Sequence, residues 1–196
     1  MSDQTKIQNP QFVQALLELK QLYNLLHADV QACLALLKQQ DTQWGRRMFI
    51  RSEFAFIEGV IYRMKQVALE AANKNQIKLT GPEAALLAEE AYELSDKGEP
   101  VTKPNYLQLP KNIKFTFKIM TRAYGVKYDL KLDDLGWDSF LKAVKIRNRI
   151  MHPKQIQDLS ISNEEIEIVG VALMWFTESA VGLTTLTSRV ADQKKE

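Results

Sequence analysis

Apolar residues recur at intervals of three and four along most of this chain, the period of a helix that buries one face. Between Asn9 and Lys38 the stripe is Leu16, Leu19, Leu22, Leu26, Val30, Cys33 and Leu37, with Pro10 suited to a first turn. A second long helix is expected from Gln43 to Asn73. Asp41 and Thr42 offer its N-cap, and Ile50, Phe54, Ile57, Ile61, Met64 and Ala68 its inward stripe. Thr80–Glu83 (TGPE) opens a third helix, expected to end near Leu94. Asp96–Pro110, with three prolines and one glycine, reads as a surface loop. A basic helix follows from about Asn112 to Tyr124, stopped by Gly125. Tyr128, Leu130 and Leu132 alternate as in a short strand, yet Asp133 or Asp134 could instead cap the helix running from Leu135 to Met151. Ser162–Glu165 forms an S-x-x-E capping box for a last helix reaching about Arg189. The pattern predicts an all-α helical bundle of about six helices, with no sheet. Residues 41–190 form its domain. Residues 1–40 form an N-terminal helix, either part of the bundle or a dimer arm, and residues 191–196 a frayed tail.

Composition narrows the setting. The chain has 196 residues, 45% hydrophobic and 26% charged, with a formal net charge of +2. That is one domain's length, enough for a sizeable core. Cys33 is the one cysteine, so an intramolecular disulfide and a thiolate metal cluster are both excluded, in keeping with a reducing cytoplasm. The stretch MSDQTKIQNP lacks the apolar centre of a signal peptide. The longest apolar run, Ile168–Phe176, is too short to span a bilayer. The expectation is a soluble cytoplasmic protein without membrane association. No cofactor or metal is expected: the two histidines, His27 and His152, lie on different helices. His27 reads as a helix-surface or interface residue rather than a ligand.

One segment departs from this plain picture. In KIRNRIMHPK, Lys145–Lys154, the stripe set by Trp137, Phe140, Leu141 and Val144 continues to Arg147 and Asn148 before Met151. A guanidinium stays charged at ordinary pH and needs an acid, water or another subunit beside it. His152 precedes Pro153, which disfavours the α conformation, so the helix should end near Met151 and the imidazole could swing back toward Arg147. Taken singly, the arginine is most often a structural ion pair and the histidine a helix-end residue. Neither reading accounts for arginine, asparagine and histidine together.

The order Arg147, Asn148, His152, R-N-x-x-x-H, resembles the signature of HEPN domains, in which an arginine followed by a polar residue is separated by four to six residues from a histidine. The all-α context and the motif's place at the end of the penultimate helix are also similar. RRMFIRSEFAFIEGVIYRMK, Arg46–Lys65, resembles the long early helix of that family, which often carries an acid near the motif. Glu58 borders its apolar stripe and could pair with Arg147, or equally make a surface ion pair. Glu53 points away from the stripe. The resemblance implies a homodimeric, metal-independent endoribonuclease acting on single-stranded RNA, a toxin or defence component with an antitoxin or effector protein as partner. His152 would be the acid or base, Arg147 would hold phosphate oxygens, and Asn148 would position a phosphate oxygen or orient the histidine. The alternative is a catalytically inactive HEPN-like module for dimerisation or nucleotide binding.

Two cationic runs suit a phosphate backbone. One contains Lys114, Lys118 and Arg122 with interleaved Phe115, Phe117, Tyr124 and Tyr128; the other contains Lys145, Arg149 and Lys154. For the first run, aromatics in the core and solvated lysines are the favoured reading. The acids after Thr80, Glu83 among them, would steer RNA away from their helix.

Overall fold

The computed structural model describes residues 10–74 and 77–193, with side chains through Arg189. Among the described residues are six α-helices, one 3-10 turn and one two-stranded antiparallel sheet. The helices are α1 (Pro10–Gln39), α2 (Gln43–Lys74), α3 (Gly81–Ala88), α4 (Leu109–Tyr124), α5 (Leu135–Met151) and α6 (Asn163–Gln193). The strands are β1 (Glu90–Leu94) and β2 (Pro100–Pro104). The all-α bundle is as expected. Within the tail at 191–196, residues 194–196 lie outside the described residues.

Cap chemistry sets most boundaries. Thr80 and Glu83 form a reciprocal capping box at α3, with Pro82 in the first turn. Ser162 and Glu165 do the same at α6, at 3.1 and 3.0 Å. Asp134 accepts from the Trp137 N–H and starts α5, so residues 126–132 form no strand. Gly125, at φ 68°, ends α4 in the left-handed region.

The chain divides into two compact units. One comprises the chain through Gln21 together with Ile61–Val126; the other comprises Leu22–Val60 and Lys127 onward. Helices α1 and α2 each contribute to both. Phe12 and Leu19 are buried in the first unit, Val30 and Leu37 in the second.

In the first unit α3 is shorter than expected and a hairpin replaces the predicted loop. Glu89 stops the helix at φ 57°, the one non-glycine residue with positive φ among those described. That conformation costs about 1–2 kcal/mol. Its carboxylate lies 2.7 Å from Nζ of Lys65, which is fully buried, so the ion pair offsets the strain. Burial lowers the Lys65 pKa, and Glu89 opposes that shift. Gly98, at φ 74°, turns the chain between the strands. Two of the three prolines that signalled a loop, Pro100 and Pro104, sit at the two ends of β2, and the third, Pro110, lies in the first turn of α4. Phe117 and Tyr124 are core residues, as the favoured reading had it.

In the second unit α5 and α6 pack side by side. Trp137, Phe140 and Trp175 form an aromatic cluster with ring centroids 5.1–5.4 Å apart. Trp175 also donates from Nε1 to the Lys131 carbonyl at 3.0 Å. Gly136 is required here, because a Cβ would lie 2.6–2.8 Å from three Trp175 atoms. Gly136→Ala should therefore cost about 1–3 kcal/mol, read as a lower urea midpoint with an unchanged slope. An unmoved midpoint would mean that Trp175 has room to yield.

Helix α6 corrects one expectation. From Asn163 to Arg189 it is long and apolar enough to cross a membrane by length and composition, with 33% of its most apolar window buried inside the fold. Beyond Ile168–Phe176 the low-charge stretch continues through small and apolar residues to Ser188, with Glu178 its one charge. Packing of Val169, Ala172 and Phe176 in the core accounts for part of that apolar character.

Candidate functional site

Helix α5 ends as its sequence requires. Its last residue is Met151, and His152 leaves the helix at φ −128°, ψ 58°, while its backbone N–H still donates to the Asn148 carbonyl at 3.1 Å. Pro153 explains the stop. The imidazole is exposed, and among the described residues its side chain makes no hydrogen bond.

The apolar stripe of α5 is not broken, contrary to the sequence reading. Ala143, Ile146 and Ile150 carry it to the end of the helix, while Leu141 and Val144 are half-buried and Met151 is 44% exposed. Two stripes, offset by one residue, can be drawn through this sequence, and packing in the second unit selects the one that omits Arg147. The guanidinium therefore borders the core. Its Nη2 donates to Glu58 Oε1 at 2.6 Å, its Nη1 to Asn148 Oδ1 at 3.1 Å, and its Cζ lies 5.9 Å from the Phe54 ring centroid. The Arg147 and Glu58 side chains are 26% and 43% exposed, so water reaches the pair. Glu58, Arg147 and Asn148 are thus brought together.

Two acids of α2, Glu53 and Glu58, are reversed from the sequence expectation in burial. Glu58 is exposed, whereas Glu53 is fully buried and neither of its carboxylate oxygens has a hydrogen-bond partner among the described residues. Burial pushes the Glu53 pKa well above the ordinary carboxylate range. The buried face of α2 is wider than the stripe drawn from Phe54 and Ile57. It also takes in Phe49, Phe56 and Val60, and Glu53 lies within that arc.

The segment after His152 is clamped by residues that sequence reasoning did not single out for this task. Asp158 accepts from the backbone N–H groups of Lys154 and Gln155 at 2.8 and 3.2 Å, and these bonds lower its pKa. Arg47 donates to the Leu159 carbonyl at 3.0 Å, and Arg46 to the Ile161 carbonyl at 2.7 Å. Gln43 bonds both the N–H and the carbonyl of Ile161. Arg149 donates to the Ser160 carbonyl at 3.0 Å and pairs with Glu165 at 2.9 Å. Its guanidinium braces this segment against the start of α6. Apart from the local contacts of Asp158, the signal for these anchors was weak, because Gln43, Arg46 and Arg47 meet main-chain groups over a hundred positions away and Arg149 meets a loop carbonyl and a cap residue of the next helix.

Lys145 and Lys154 are exposed in the same unit as the motif. Lys114, Lys118 and Arg122 belong to the first unit. Lys114 and Lys118 are exposed, whereas Arg122 makes a two-pronged ion pair with Glu83 at 2.8 Å. That contact, with a further bond from the Thr80 backbone, holds the Glu83 carboxyl down at about 2. The acid expected to repel RNA from its neighbourhood instead occupies one of the expected RNA-binding cations. His27 is half-buried, with its ring 5.7 Å from Tyr23 and 5.8 Å from Phe56. Among the described residues no group of three or more His, Cys, Asp or Glu side chains could hold a metal ion.

Comparison with known proteins finds no family model, no curated protein and no solved structure that matches this chain.

Proposed function

We propose that this protein is an HEPN-like endoribonuclease that cleaves single-stranded RNA without a metal, as a homodimer, in a toxin or defence role. The observation that carries the reading is the end of α5. There a half-exposed arginine is held between Glu58 and Asn148, one turn before a solvent-facing histidine on a clamped segment. The chemistry suits these groups. The RNA 2′-hydroxyl attacks the adjacent phosphorus, the bond to the 5′-oxygen breaks, and a 2′,3′-cyclic phosphate and a 5′-hydroxyl result. His152 takes the proton from the 2′-hydroxyl or gives one to the leaving oxygen. Arg147 steadies the charge that gathers on the non-bridging oxygens, a task suited to its planar fork, and Asn148 orients a phosphate oxygen. Lys145 and Lys154 attract the backbone on either side.

A second reading has a specific observation in its favour. Glu58 already neutralises Arg147, as it would in an HEPN-like module that dimerises or binds nucleotides without cutting. Purified protein incubated with mixed single-stranded RNA in excess chelator separates the two. Fragments ending in cyclic phosphate support the nuclease. Intact RNA at high enzyme concentration leaves the inactive module.

A further inference from the structure

The hairpin of the first unit turns its apolar side to solvent. Opposed residues of an antiparallel pair project from the same face, so Tyr92 and Leu94 share a face with Glu90, Pro100, Thr102 and Pro104, with Glu90 its one charge. Tyr92 is 65% and Leu94 71% exposed. The other face carries the Glu93–Lys103 ion pair. A two-stranded hairpin with its apolar side in water is marginal by itself.

Its two edges differ. Asn105 donates to the Glu89 carbonyl and Ser95 to the Glu99 carbonyl, which fixes the phase of the ladder. Ala91 and Glu93 then face Lys103 and Val101 with their hydrogen-bonding groups, while Glu90, Tyr92 and Leu94 direct theirs outward. On β2 the outward positions are Pro100, Thr102 and Pro104, and two of these have no N–H. Proline blunts that edge. The β1 edge keeps its donors and acceptors, and among the described residues no backbone group bonds to them.

We infer that the β1 edge is a self-association site, where the β1 strand of a second copy adds antiparallel about a two-fold axis at Tyr92. Glu90 then lies opposite the partner's Leu94, Tyr92 opposite the partner's Tyr92, and Ala91 opposite the partner's Glu93. No like charges oppose one another, and each Glu93 is already neutralised by Lys103 of its own hairpin. Three outward-facing pairs exchange about six main-chain hydrogen bonds, and the central tyrosines form a favourable cross-strand pair. Parallel in-register addition would instead set Glu90 against Glu90. The four-stranded sheet joins the two apolar faces into one, and the proline-blunted outer edges stop growth at two copies per sheet. This pairing is independent of the nuclease reading, whose residues lie in the other unit.

The test uses the charge at position 94, which is exposed in the monomer and opposes Glu90 only in this register. Sedimentation velocity over a concentration series, on the full chain, measures the dissociation constant of each variant. Leu94→Glu should weaken association roughly tenfold or more, while Leu94→Lys, set against the partner's Glu90, should keep or tighten it. Association that weakens only with the acidic variant supports the pairing. A protein monomeric at every concentration, or an oligomer indifferent to the charge at 94, overturns it; the second outcome leaves a dimer through the α5 motif untouched.

Discussion

Converting His152 to alanine should lower RNA cleavage by about 10²–10⁴-fold, the range that a positioned general acid or base contributes. The substitution is mild for the fold. The imidazole is exposed, the His152 N–H that closes α5 bonds through the backbone, and Pro153 still ends the helix. Circular dichroism and the urea midpoint should match wild type. Arg147→Lys should give a loss of similar order, because an ammonium cannot reproduce the fork that meets two phosphate oxygens. Cleavage at the wild-type rate in folded His152→Ala would remove this histidine from the chemistry. Inactive wild-type protein would favour the non-cleaving module, with Arg147 reduced to its ion pair with Glu58.

Replacing Glu53 with methionine should raise stability at neutral pH by about 1–3 kcal/mol. The carboxyl is wholly buried, and among the described residues neither oxygen has a hydrogen-bond partner. A buried polar group without a partner costs roughly that much, and an apolar side chain of similar length removes the cost. The pH dependence has a definite sign. Burial raises the folded-state pKa above the ordinary 4.5, so between 4.5 and the folded value the native protein holds a proton that the unfolded chain has released. Stability therefore falls as pH rises through that window and levels off above it. Urea titrations from pH 4.5 to 8 should show this decline in wild type. It should be absent in Glu53→Met and in Glu53→Gln, whose side chain keeps the shape without the titration. A slope that survives both substitutions would assign the decline to another group.

Glu53 also shows where sequence reasoning stops. The 3.6-residue period told correctly that residues 43–74 form a helix, but the width of its buried arc depends on how many neighbours surround it. With more of the circumference covered than one stripe implies, Glu53 went inside and Glu58 remained at the rim. Helix α5 repeats the lesson. Val144, Arg147 and Met151 make as good a helical row as Ala143, Ile146 and Ile150, and a linear pattern with small or borderline residues in both cannot choose. The hairpin failed for a different reason. Proline and glycine signal departure from helix equally in a loop and in a blunted strand pair, and the alternation in β1 spans five residues.

What the sequence alone determined were features written in neighbouring residues. These include the helical period, the capping boxes at Thr80–Glu83 and Ser162–Glu165, the glycine stop at Gly125, and the end of α5 before His152-Pro153. Each depends on bonds or sterics within a few positions, so the chain carries them wherever it folds. The tertiary structure alone decided which charges remain available. It gave Arg122 to Glu83, Arg149 to Glu165 and the Ser160 carbonyl, and Arg147 to Glu58, and it sealed Glu53 away from water. Those outcomes depend on distances between segments far apart in sequence, and an ion pair or a buried acid exists only once packing has set them.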